Sequence, residues 1–182
     1  MTIDRRSLVL GLPLVAAGGA ALAQGAAPAS NKDTLYLDLK DGRVVIRLRP
    51  DLAPKHVEQI KALTKQGFYN GIVFHRVIEG FMAQTGDPTG TGTGGSKLPN
   101  IPAEFTPTPF KRGTLGMARS QSPNSANSQF FICFKDAPFL NGQYTVFGEV
   151  VSGMEFVDKI KRGEPPANPD KIVSMRLLAD AK

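Results

Sequence analysis

After residue 33 no apolar run in this chain is long. Segments 34–39 and 43–48 each alternate apolar and polar side chains and are joined through Asp41-Gly42. That alternation is the period of a half-buried strand, and an Asp-Gly pair between two such segments predicts a hairpin turn with both residues at positive φ. Segments 72–78 and 81–85 flank Glu79-Gly80 in the same way. Short apolar stretches recur at 114–118, 129–134, 145–150 and 172–178. Only two stretches carry a helical signal. Residues 53–66 place Val57, Ile60 and Leu63 at helical spacing, with Pro54 at the start and Gly67 past the end; 154–161 follows Gly153. Residues 86–102, rich in Gly, Thr and Pro, predict a long surface loop. Many short strands and two helices point to a mainly β fold, a closed or nearly closed barrel capped by helices.

The chain of 182 residues suits one compact domain. It has no Trp and eleven Phe, so the aromatic core rests on phenylalanine. The formal charge is +6, but the basic residues stand singly or in short pairs such as Lys111-Arg112. A nucleic-acid interface concentrates its cations, so that class of partner is not expected. The single cysteine, Cys133, sits in an apolar run and reads as a small buried hydrophobe rather than a thiol nucleophile.

Residues 1–23 read as a signal peptide: Arg5-Arg6, an apolar stretch from Leu8 to Ala17, then Ala21-Leu22-Ala23 for cleavage. The paired arginines resemble a twin-arginine signal. Gly11 and Pro13 interrupt the apolar stretch, so no stable membrane span is expected after cleavage. Residues 24–32 form a flexible leader, and 33–182 the folded domain. This organisation predicts an exported, periplasmic monomer.

Several site types fail on inspection. Two histidines, His56 and His75, and one cysteine do not compose a usual zinc site, so no metal is expected. No Gly-x-Ser-x-Gly elbow is present. Gly90-x-Gly92-x-x-Gly95 matches a dinucleotide pattern, but no helix can start at Ser96-Lys97-Leu98-Pro99, and no cofactor is expected. What remains is Arg76 and Gln84 with Phe81 and Met82 between them, followed by Gln129-Phe130-Phe131. Alternation along 72–78 puts Phe74, Arg76 and Ile78 on one face, His75 and Val77 on the other. Taken singly, Arg76 and Gln84 also fit a solvated face, and His75 a hydrogen-bonded structural role.

Residues 74–87, Phe-His-Arg-Val-Ile-Glu-Gly-Phe-Met-Ala-Gln-Thr-Gly-Asp, closely resemble the signature of the cyclophilin-type peptidyl-prolyl isomerases. Gly-Thr-Leu-Gly-Met-Ala at 113–118, Asn-Ser-Gln-Phe-Phe-Ile at 127–132, and Leu140-Asn141-Gly142 with Val146-Phe147-Gly148 agree in the order that family shows. The resemblance runs from about residue 34 to 178. It implies an eight-stranded antiparallel closed barrel with two capping helices, rotation of X–Pro bonds in proline-containing polypeptides, and assistance to the folding of exported proteins. It assigns the catalytic arginine to Arg76 and a polar partner to Gln84. It assigns the proline pocket to Phe81, Met82, Phe131 and Leu140, with Ala118 and Gln129 along the groove. Phe139, Tyr144 and Arg119 stand where the best-known eukaryotic members carry Trp, His and Asn; the Phe and Tyr occur in bacterial members. Phe139 lacks the indole N–H donor, which implies weak cyclosporin binding. The competing reading is a proline-recognising binding module or holdase chaperone with incidental turnover; it would not require the arginine.

Overall fold

A computed structural model describes residues 30–181. The expected signal segment 1–23 and most of the leader lie outside them. Ser30 to Asp33 are described, and 31–33 form a single 3-10 turn.

Eight strands and two helices follow. Strands β1 (Thr34–Leu39) and β2 (Gly42–Leu48) pair antiparallel, Leu39 opposite Gly42. The hairpin loop is therefore Lys40-Asp41, one residue earlier than expected, and neither residue has a positive φ. Gly42 serves packing instead: a β-carbon there would sit 2.5 Å from the Phe156 ring.

Helix α1 (Pro54–Lys65) buries Val57, Ile60 and Leu63 against the sheet, as its periodicity requires. Its first turn has no local cap. Glu104, far along the chain, accepts the backbone N–H groups of Lys55 and His56, each at 3.1 Å, and also meets the His56 ring.

Strands β3 (Arg76–Ile78), β4 (Met82–Thr85), β5 (Thr114–Met117), β6 (Phe130–Cys133) and β7 (Val146–Ser152) follow, then helix α2 (Met154–Val157) and β8 (Ser174–Leu177). All pairings are antiparallel, in the order β3-β4-β6-β5-β7-β2-β1-β8. The sheet is curled but open, which corrects the expectation of a closed barrel: β3 and β8 form no ladder. Isolated bridges at Val73–Lys171 and Val77–Gly163 span the seam. The physical reason is in the facing chain, where Pro165, Pro166 and Pro169 offer no N–H to a ladder.

That seam also shortens β3, which begins at Arg76 and not at Ile72. The expected alternation holds for Arg76, Val77 and Ile78 but fails for Phe74. With 74–75 outside the strand, Phe74 turns into the core beside Val77. Helix α2 is likewise shorter than expected, ending at Val157.

The sheet buries both of its faces. Val77, Ala83, Ile132 and Leu115 belong to the main core together with α1. Met82, Phe131, Cys133 and Val146 point the other way and form a second cluster with Phe110 and Leu140. This explains why 130–133 reads as an unbroken apolar run: alternate residues serve opposite cores.

The Glu104 cap leads to a first prediction. Burial pulls the His56 pKa down against the attraction of Glu104. Burial pushes Glu104 up, but hydrogen bonds from the His56 ring and two backbone N–H groups hold it below the ordinary carboxylate range. Both folded values lie below the unfolded ones, so the unfolded chain takes up each proton first and stability falls with pH. The loss begins near the ordinary histidine value of 6.5 and continues below the glutamate value of 4.5. Glu104→Ala should cost about 2 kcal/mol at neutral pH, from the lost helix cap and the orphaned His56. It should also flatten the loss below about pH 4.5. Urea unfolding across pH measures both effects.

Candidate active site

The site grows from strand register. Arg76 lies opposite Gln84, Gln84 opposite Phe131, and Phe131 opposite Gly116, so four side-chain positions line up across β3, β4, β6 and β5. Residues directly opposed in a sheet share a face. A second row on that face, Ile78, Met82 and Cys133, runs beside it. Rigid backbone ladders thus fix a guanidinium, an amide and an aromatic ring in sequence along one line.

Above these rows lies an open groove of about 1010 Å³. Met82, Phe131 and Leu140 are buried among its walls, each less than a tenth exposed. Phe81 and Phe139 form one rim, their ring centroids 5.3 Å apart. Phe139 is 66% exposed, an apolar side chain presented to solvent at the mouth of an apolar cup. Tyr144 stands edge-on to Phe131 at 5.9 Å and forms the opposite wall with Ala118. Nine of the ten residues singled out in the sequence therefore line this groove.

The tenth, Gln129, lines the adjoining cleft, which shares Gln84, Ala118 and Arg119 with the first. It is also the pivot of an amide chain. Gln84 Nε2 donates to Gln129 Oε1 at 2.9 Å, and Gln129 Nε2 donates to the carbonyls of Gly92 and Gly94. The loop carrying those glycines is itself fixed by Asp87, whose carboxylate accepts N–H groups from Thr89, Gly92 and Gly94 and the Thr89 hydroxyl. Burial alone would raise the Asp87 pKa; these donors overcome it and hold it at about 2. Gln84 is thereby oriented through three links of backbone-anchored hydrogen bonds.

Sequence reasoning missed several participants. Phe110 stacks beneath Phe131, centroids 5.7 Å apart, and Gly116 leaves room for both rings. Arg119 lies over the Tyr144 ring at 4.5 Å and donates to the Gln143 carbonyl at 2.8 Å, locking that wall. Glu164 enters from the seam: Arg76 Nε donates to its Oε1 at 2.9 Å. His75 lines the groove too, buried, with neither ring nitrogen in a well-formed hydrogen bond and the Gln129 side chain beside it. Burial lowers its pKa, which favours the neutral ring.

The Cys133 thiol lies buried in the second cluster, and burial pushes its pKa up to about 12. Among the described residues no group of three or more His, Cys, Asp or Glu side chains comes together, and no helix is long and apolar enough to cross a membrane. The groove combines an apolar cup, a fixed amide and two always-charged guanidinium groups, of which Arg119 is tied to backbone carbonyls and Arg76 bonds through Nε alone.

Comparison with known proteins agrees with this geometry. The family described as cyclophilin type peptidyl-prolyl cis-trans isomerase/CLD matches residues 34–177. A probable peptidyl-prolyl cis-trans isomerase of Brucella suis is 59% identical over 175 residues, covering 87% of this chain and 89% of that protein. Peptidyl-prolyl cis-trans isomerase B of Bacillus subtilis is 42% identical over 133 residues, covering 72% and 92%. Among solved structures, a cyclophilin from Hirschia baltica superposes with a TM-score of 0.78 at 27% identity, covering 85% of this chain and 77% of that one. A Cryptosporidium parvum cyclophilin type isomerase, crystallised in the presence of the dipeptide Ala-Pro, gives 0.74 at 31% identity, covering 79% and 98%. With the matched span running from β1 to β8 and a close relative identical at more than half its positions, the chain belongs to the family of cyclophilin-type peptidyl-prolyl cis-trans isomerases.

Proposed function

We propose that the groove takes X–Pro segments of polypeptides and speeds their rotation, with Arg76 and Gln84 as the reacting site's polar groups. The row Arg76–Gln84–Phe131 across three adjacent strands carries this reading.

Rotation about a peptide bond is slow because the C–N bond has partial double-bond character, with a barrier of about 18–20 kcal/mol. No bond is made or broken, so catalysis needs only tighter binding of the twisted amide than of either planar form. On twisting, the proline nitrogen regains its lone pair. A guanidinium N–H can donate to that nitrogen only in the twisted state, which is the differential interaction required. The pyrrolidine ring packs on Phe131 between Met82 and Leu140, and the apolar walls exclude water that would stabilise the planar, polar resonance form. Gln84 holds the amide carbonyl or flanking backbone, while Phe81, Phe139, Tyr144, Ala118 and Gln129 align the chain on either side.

The clients on this reading are proline-containing proteins folding outside the cytoplasm. Arg5-Arg6, the apolar residues 8–17 and Ala21-Leu22-Ala23 support export to the periplasm with removal of residues 1–23; the mature enzyme acts as a monomer on this reading. Cell fractionation followed by N-terminal sequencing tests this: the periplasmic fraction should yield a chain starting at Gln24. A chain retaining Met1 in the cytoplasm would overturn it. The activity itself is tested by protease-free proline isomerisation on a set of X–Pro peptides, where turnover well above the spontaneous rate is expected.

A further inference from the structure

Glu164 is 88 residues from Arg76 in sequence, yet it supplies the one side-chain hydrogen bond that Arg76 makes among the described residues. Gln84, directly opposite Arg76 in register, gives its amide to Gln129 instead. Nothing else in the groove therefore fixes the guanidinium, a group that carries much rotamer freedom.

Glu164 is not free to wander. Its neighbour Gly163 exchanges two backbone hydrogen bonds with Val77, each 2.8 Å, on the open edge of β3. One residue earlier, Arg162 Nε donates to Glu79 Oε2 at 2.6 Å, and its guanidinium lies over the Phe134 ring at 4.1 Å. The segment 162–164 is thus pinned at three residues: Val77 of β3, Glu79 of the turn after it, and Phe134 just past the end of β6. The carboxylate reaches Arg76 from a backbone that is part of the sheet edge.

The bond engages Nε and leaves both terminal nitrogens of Arg76 without a side-chain partner among the described residues. A carboxylate bonded at Nε, where the stem joins the guanidinium, orients the group without consuming the terminal donors a substrate needs. We infer that Glu164 is a positioning residue for Arg76: the segment that covers the open sheet edge also aims the guanidinium into the groove. This rests on the proposed catalytic role of Arg76.

Orientation of a donor used only by the twisted amide affects turnover rather than ground-state binding. The full chain and the variants Glu164→Ala, Glu164→Gln, Arg76→Ala and the Arg76/Glu164 double alanine would be compared in kcat and KM on X–Pro peptides. The residue before proline would be Ala, Lys or Glu, with each peptide run at low and high salt. Glu164→Ala should lower kcat roughly threefold to tenfold with little change in KM. Glu164→Gln, which keeps an acceptor but not the charge, should recover part of that loss. The loss should be the same for all three peptides, should shrink in high salt as the ion pair is screened, and should vanish in the Arg76→Ala background. An unchanged kcat in Glu164→Ala beside an Arg76→Ala variant that has lost turnover overturns the inference alone. A loss that follows peptide charge, or one that persists without Arg76, overturns it too, since Glu164 would then act on the substrate. Full turnover in Arg76→Ala overturns the reading on which the inference rests.

Discussion

Arg76→Ala should lower kcat/KM by about 100- to 1000-fold while the protein stays folded with nearly unchanged stability. The size follows from removing one preorganised, charged donor aimed at a group that accepts only in the transition state, worth about 3–4 kcal/mol. The intact fold follows from the surroundings of the side chain. Arg76 is 45% exposed and its ion pair with Glu164 is at the surface, where such pairs contribute about 0–1 kcal/mol. Its backbone pairing with Gln84 survives the change. Protease-free isomerisation beside urea unfolding separates the two quantities. Affinity for an X–Pro peptide should fall far less than turnover, since the apolar cup is untouched. Near-wild-type turnover in the folded variant would show that the guanidinium is not the donor that stabilises the twisted amide.

Much of this site was legible because it is built on strand register and strand register leaves a local pattern. Arg76, Gln84 and Phe131 lie on three different strands. The Arg and Gln are close enough in sequence for one turn at Glu79-Gly80 to bring them opposite each other. Phe131 could be placed because 130–134 is a continuous apolar stretch, and the family resemblance named which of its phenylalanines faces the pocket. Periodicity alone left Phe130 and Phe131 equivalent, since both are buried, in different clusters.

What was not legible depends on contacts between segments far apart. Glu164 sits in a Pro-rich stretch with no period, and nothing local marks it as a neighbour of Arg76. The same stretch decides that the sheet stays open, that β3 starts only at Arg76, and that Phe74 turns inward. A strand pattern read along 72–78 cannot register that its intended partner lacks N–H groups at Pro165, Pro166 and Pro169. The hairpin at Lys40-Asp41 failed differently. Asp41-Gly42 is a strong turn signal, but Gly42 is required by a ring on α2, so the glycine marked a close approach and not the centre of the turn.

Gly116 presents the same ambiguity at the site itself, and replacing it should damage both folding and binding. A β-carbon on Gly116 would lie 2.4 Å from Phe131 Cζ and 2.6 Å from Phe110 Cε1, closer than any unstrained contact. Gly116 does not have a positive φ, so the penalty is purely steric. Phe131 is held from beneath by Phe110 and from the side by Tyr144, and the direction left open to it is outward, into the groove. Gly116→Ala should therefore cost about 1–3 kcal/mol through overpacking and raise KM for an X–Pro peptide by roughly tenfold as the pocket floor lifts. Phe131→Ala should do more to stability, about 3–5 kcal/mol, because it empties a buried aromatic site. That loss corresponds to a fall in Tm of about 10 °C. It should also weaken peptide binding and turnover together, since the floor is gone. Combining the two gives the sharper test. Without the Phe131 ring the 2.4 Å overlap is gone and Phe110, 2.6 Å from the added β-carbon, can shift into the vacated space, so alanine at 116 should cost less in the Phe131→Ala background than in the native protein, a non-additivity expected of groups in contact. Strictly additive losses in Tm would mean that Gly116 does not set the position of the ring. Unchanged peptide affinity in Phe131→Ala would remove that ring from the binding site.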